Sequence, residues 1–174
     1  MKAIRPQSAM RSSSLAQACL LAVCLFSPAA WATDQAKALL RAEQIVQGNC
    51  FICHGMNGES STPAFPRLAG QSARYVARQL MDYQTGKRAS TAMQPMVQDL
   101  TPADFEALGL YFSSRPTMAH PVDDPKIAQV GQYIYHQGNA DSGLPSCASC
   151  HGPAAHGTET LPRLAGPVSY THLR

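Results

Sequence analysis

Two five-residue strings constrain this chain more than anything else in it: "CFICH", from Cys50 to His54, and "CASCH", from Cys147 to His151. In each, two thiols two residues apart are followed at once by a histidine. On one helical turn such thiols reach the two vinyl groups of a haem and form thioethers. The next side chain then projects beneath the porphyrin, where an imidazole nitrogen ligates iron. Other cysteine chemistry fits poorly. A four-cysteine zinc site wants its C-x-x-C pairs far closer than the 97 residues from position 50 to position 147, and has no use for a histidine after each pair. A thioredoxin-type pair belongs beside a βαβ pattern, which the sequence lacks. Disulfides within C-x-x-C would staple little chain. The strings therefore predict two covalently attached haem c groups, on Cys50 and Cys53 and on Cys147 and Cys150, with His54 and His151 as iron ligands.

Both strings sit inside a longer repeat. "CHGMNGESSTPAFPRLAG" (53–70) matches "CHGPAAHGTETLPRLAG" (150–166) with one residue fewer. A helical segment leads into each. The first puts Ala38, Leu39, Ala42, Ile45 and Val46 on one face, and the second does the same with Ile127, Val130, Ile134 and Tyr135. Beyond Gly70 a further helix turns Val76, Leu80 and Tyr83 inward and ends near Gly86. A non-periodic loop, "KRASTAMQPMVQDL", follows. Thr101 then caps a helix with Pro102 in its first position and Asp104 completing a capping-box pattern, and Phe105, Leu108 and Phe112 recur along it. No strand pattern appears, so the expected class is all-α. A haem would supply the apolar core that a domain of about 80 residues struggles to build alone.

The N-terminus reads as a leader. Lys2, Arg5 and Arg11 precede the apolar run Leu15–Phe26, and Ala30-Trp31-Ala32 forms an A-x-A cleavage site. The run is too short to cross a bilayer as a helix. Removing it takes three basic residues and no acidic ones from a chain with 14 Lys plus Arg and 11 Asp plus Glu, leaving 11 of each. The formal charge of +3 thus belongs to the leader, and no basic run remains to suggest nucleic acid. The expected organisation is a signal peptide over 1–32, a first domain over 33–114, a Pro-rich linker over 115–125 and a second domain over 126–174.

An iron that only transfers electrons has both axial positions filled. The loop of the first half offers Met93 and Met96 and no histidine. A thioether favours reduced iron and raises the potential. Chemistry alone does not choose between the two methionines.

The two C-x-x-C-H-G strings, "FPRLAGQ", "RYVARQL", "YFSSRP" and "QVGQYIYHQGNADSGLPSC" together resemble the dihaem cytochrome c4 family, two class I cytochrome c domains in tandem, over residues 44–166. In that family the ligand is the methionine seven residues before the leucine preceding the third helix's cap. Counting back from Leu100, the resemblance implies Met93. It also implies that Pro66 and Pro162 offer carbonyls to His54 and His151, and that Leu68 and Leu164 press on the haem faces. Such carbonyls orient the imidazole and raise its basicity. The repeat breaks after Gly166, where "PVSYTHLR" holds no methionine, so the second domain is expected to be truncated. His172 is a weak substitute ligand in that tail; His120, His136 and His156 read as bystanders.

The resemblance implies a periplasmic carrier passing electrons to a terminal oxidase or another cytochrome; peripheral membrane contact is compatible with that role, and the charge balance points to no nucleic acid. Two alternatives stand beside it. One is a dihaem peroxidase or ligand-binding haem protein using an open second haem; the other is the cytochrome subunit of a dehydrogenase complex.

Overall fold

The computed structural model describes residues 28–118 and 124–165. The chain divides into two compact units, residues 1–35 and 36–174. The described residues of the first unit are helical. The apolar leader run, His120 and the tail with His172 lie outside the described residues. No helix among the described residues is long and apolar enough to cross a membrane.

Helices build the fold, as the periodicity predicts, and the described residues hold no named strand, only an isolated bridge between Asn139 and Leu144. Helix α1 (Pro28–Ile45) runs into one π-helical turn (Val46–Cys50) and then α2 (Phe51–His54), which carries the first histidine. A single π turn widens the coil by one residue, a distortion common beside functional positions. After the "PRLAG" segment come α3 (Ala73–Gln84), the short α4 (Met93–Val97) and α5 (Pro102–Ser113). The expected loop over 87–100 thus contains one helical turn, too short to show a period.

The first-half core is where α1 meets α3 and α5. Ala42, Ile45 and Val46 of the first chain segment bury against Val76, Ala107, Leu108, Tyr111 and Phe112. Helices α3 and α5 pack so closely that a Cβ on Gly109 would stand 2.3 Å from the Ala73 carbonyl oxygen. The capping box is built as read: Thr101 Oγ1 accepts from the Asp104 N–H and Asp104 Oδ2 accepts from the Thr101 N–H at 2.9 Å. Arg41 Nε adds a bond to Asp104 Oδ1 at 2.8 Å, tying α1 to the start of α5.

The second half is sparser. Helix α6 (Pro125–Gln137) is capped by Asp124 and ends at Gly138, and a tight turn stitched by Asn139 and Leu144 leads to α7 (Ala148–His151). The expected inward face of α6 is only half realised. Ile134 and Tyr135 are half-buried, but Ile127 is 63% and Val130 59% exposed. In the first half α5 covers the equivalent face; no described residue of the second half does so.

Candidate functional site

Each C-x-x-C-H string occupies a single helical turn, so the side chains fall where the spacing requires. His54 is 6% exposed, and its Nδ1 lies 2.8 Å from the Pro66 carbonyl oxygen. His151 is half-buried, with Nδ1 2.9 Å from the Pro162 carbonyl oxygen. A carbonyl only accepts, so Nδ1 carries a proton in both rings, and in the neutral form of either ring Nε2 is left with its lone pair. Burial pushes the His54 pKa down, against the opposing pull of the Pro66 carbonyl, and favours the neutral ring that ligation needs.

The loops that bring these carbonyls round are folded alike. The Gly58 carbonyl accepts from Leu68 N–H at 2.7 Å and Ala69 N–H at 3.1 Å; the Ala155 carbonyl accepts from Leu164 and Ala165, both at 2.9 Å. Both turns need a left-handed residue four places after the histidine. The first uses Gly58 (φ +74), the second Ala155 (φ +55).

Cys50, Cys53 and Cys147 are half-buried, Cys150 is exposed, and none forms a disulfide. Burial pushes the Cys50 thiol up to about 11, so the free thiol is protonated at neutral pH. No cluster of three or more His, Cys, Asp or Glu among the described residues would hold a metal ion, so the two C-x-x-C pairs are not brought together. The donor set suits haem c: on each turn, two unpaired thiols and an imidazole whose second nitrogen remains available. Beside His54 the protein also leaves Phe65 partly uncovered, its ring centroid 6.3 Å from the imidazole, apolar surface next to the ligand that a flat apolar group would meet. Leu68 packs at the edge of the core, and Leu164 is half-buried.

The two methionines differ in setting. Met93 is half-buried at the first position of α4, whereas Met96 is 45% exposed. The turn is fastened at both ends. Ser90 Oγ accepts from the Met93 N–H at 3.1 Å. Gln84 Nε2 reaches the carbonyl oxygens of Val97, Gln98 and Leu100 at 2.9, 3.0 and 2.8 Å. Gln84 was not singled out by sequence reasoning; a polar residue among the inward positions of α3 was the available signal. Gln71 was also missed. It follows the first "PRLAG", is buried, and bonds to Arg163 in the second.

Residues 37–112 match the family model described as cytochrome c oxidase, cbb3-type, subunit III. The chain is 38% identical to a cytochrome c4 of Thiocapsa roseopersicina over 126 residues, 71% of this chain and 65% of that protein. It is 34% identical to a thiosulfate dehydrogenase electron acceptor of Thiomonas intermedia over 156 residues, 87% of this chain and 68% of that protein. Among solved structures it is similar to reduced recombinant cytochrome c4 from Pseudomonas stutzeri, with a TM-score of 0.66 and 34% identity over 72% of this chain and 70% of that one. The chain therefore spans a little under two thirds of the Thiocapsa protein's length.

Proposed function

Because this chain belongs to the cytochrome c4 family of dihaem c-type cytochromes, we propose that it is a periplasmic electron carrier, delivering single electrons to a terminal oxidase or another cytochrome. The organisation proposed with it is a leader over 1–32, a first haem domain over 33–114, a linker over 115–125 and a second haem domain over 126–174. Haem c, when bound, supplies a reversible one-electron iron couple. The chain's own residues do the rest. Cys50, Cys53, Cys147 and Cys150 anchor the groups, and His54 and His151 ligate them through Nε2. The Pro66 and Pro162 carbonyls accept from the Nδ1 protons, and Leu68 and Leu164 would pack against the bound haems. Met93 completes the first site, on a turn that Ser90 and Gln84 keep in place.

The observation that carries this reading is the duplicated Nδ1–carbonyl bond, built by two matched loops within one compact unit. It supports two sites made for the same chemistry. The similarity to a thiosulfate dehydrogenase electron acceptor supports a narrower reading of the donor, a sulfur-compound dehydrogenase.

The test is an optical redox titration of the full chain with its haems. Two one-electron waves are expected. His54→Ala and His151→Ala should each remove one wave, and Met93→Ala should lower the midpoint of the first site while Met96→Ala leaves it in place. Rapid peroxide-dependent turnover of the reduced protein, or an unchanged titration in Met93→Ala, would count against the assignment.

A further inference from the structure

The loop that serves His151 is held by the other half as well as its own. Gln71, just ahead of α3, and Arg74 and Arg78 on it follow one another along a helical stripe, and each reaches the segment 159–163 of the second repeat. Arg74 pairs with Glu159, and Arg78 donates to the Thr160 carbonyl oxygen. Those contacts are exposed, and exposed ion pairs contribute little. Gln71 is different, being only 5% exposed. Its Oε1 accepts from the Arg163 N–H at 2.8 Å and its Nε2 donates to the Arg163 carbonyl oxygen at 3.1 Å. Oε1 also accepts from the Ser72 N–H at 3.0 Å. Two donors facing one end and a carbonyl facing the other leave the amide a single orientation.

The Arg163 N–H and the Pro162 carbonyl are the two ends of one peptide plane. The carbonyl end accepts from His151 Nδ1 at 2.9 Å; the amide end donates to Gln71. Hydrogen bonds at opposite ends of a peptide group polarise one another, so each strengthens its partner. We propose that Gln71, a residue of the first repeat, is a positioning residue for the second repeat's iron ligand, acting through the Pro162–Arg163 peptide. The inference rests on His151 as ligand, as proposed above. A better acceptor at Nδ1 makes the imidazole more basic, and a more basic ligand favours oxidised iron. One half of the protein therefore sets the potential of the other without touching its iron ligand.

The experiment is a redox titration of full-length holoprotein carrying Gln71→Leu, with Gln71→Met as a second variant of similar length that also lacks the amide. The His151 Nδ1–H proton resonance is followed in the reduced state. In both variants the second midpoint should rise and the first should hold. The change in oxidised-to-reduced ratio should stay under tenfold, equivalent to about 59 mV for a one-electron couple. The Nδ1–H resonance should move upfield as its bond weakens. Arg74→Ala and Arg78→Ala loosen the same contact without touching the peptide and should leave both midpoints in place. An unmoved second midpoint in the Gln71 variants overturns the inference. So does an equal shift in the arginine variants, which would make docking alone responsible. Failure of the underlying reading looks different: His151→Ala would then keep both waves.

Discussion

His54 and His151 meet their proline carbonyls at 2.8 and 2.9 Å, yet the first is buried and the second half open. The bond to proline is made within a loop of a dozen residues and is repeated wherever that loop is repeated. Burial is made by distant chain: α5 lays Leu108, Tyr111 and Phe112 against α1, and Tyr111 Oη donates to the Met56 carbonyl oxygen inside the haem loop at 3.0 Å. Helix α6 has no such cover among the described residues; Tyr135 Oη donates to the Gly152 carbonyl oxygen, and the Tyr135 carbonyl accepts from Ser146 Oγ. Ligand geometry is thus a local property of the motif, while its environment depends on contacts remote in sequence.

The largest effect should come from breaking that remote contribution. Phe112 is buried against the haem loop, its ring beside Gly58 and its carbonyl bonded to the Gly70 N–H at 2.9 Å. Phe112→Ala should cost about 3–5 kcal/mol, as for a buried aromatic whose cavity does not collapse. Denaturant unfolding followed at the two haem bands should show the loss at the first site. A loss shared equally by both sites would show that the halves unfold as one unit and would erase the contrast drawn here.

The next effect comes from the matched turn. A Cβ on Gly58 would meet the Ala69 nitrogen at 2.7 Å and the Phe112 ring at 2.9 Å, at a φ of +74°. Gly58→Ala should therefore cost more than the ~1–2 kcal/mol of a left-handed non-glycine residue, since overpacking adds to it. The readout is the same unfolding curve at the first site.

What the sequence made legible divides along the same line. The capping box at Thr101 and Asp104, and the stripe Phe105, Leu108 and Phe112, are written in residues close together, and the structure builds them as read. Ile127 and Val130 carry an equally regular stripe, but periodicity reports only that a face is apolar, not that something covers it. Gln71 and Gln84 were illegible for another reason. Their partners are backbone groups, which every residue carries, so no residue type marks the other end, 92 positions away in the case of Gln71.

Asp104 gives a smaller effect with a pH signature. The Arg41 bond, helped by Thr101 and opposed by burial, holds its carboxyl below the usual carboxylate range. Arg41 is 55% exposed, so the ion pair is screened and the cap bonds dominate. Asp104→Asn keeps an acceptor for the Thr101 N–H but removes the negative charge from the first turn, and should cost under about 1 kcal/mol. A carboxylate with a depressed folded pKa stabilises above its unfolded value, near ~3.9, and loses that contribution as pH falls through the folded value. The gap between wild type and Asp104→Asn should therefore be full at neutral pH and close below about pH 4. A gap that persists unchanged in acid would assign the effect to shape instead of charge. Among the described residues no comparable pair is present at the start of α6, where Asp124 caps the helix from an exposed position.

The smallest effect is the reciprocal of Gly58→Ala. Ala155 holds φ +55 in the turn where the first repeat has glycine. The left-handed conformation costs a non-glycine residue roughly 1–2 kcal/mol. Glycine would relieve that and give back part of it, roughly 0.5–1 kcal/mol, through the greater freedom of the unfolded chain. Ala155→Gly should therefore stabilise the second site by under about 1 kcal/mol. The bonds from Leu164 and Ala165 to its carbonyl should survive, since they use backbone alone. The check is the same unfolding curve, read at the second haem band. Opposite signs for Gly58→Ala and Ala155→Gly would show that the two loops share one backbone and differ in what packs above it. A destabilising Ala155→Gly would mean that the Ala155 methyl makes a contact the first repeat has no counterpart for, and the likeness of the two loops would stop at their hydrogen bonds.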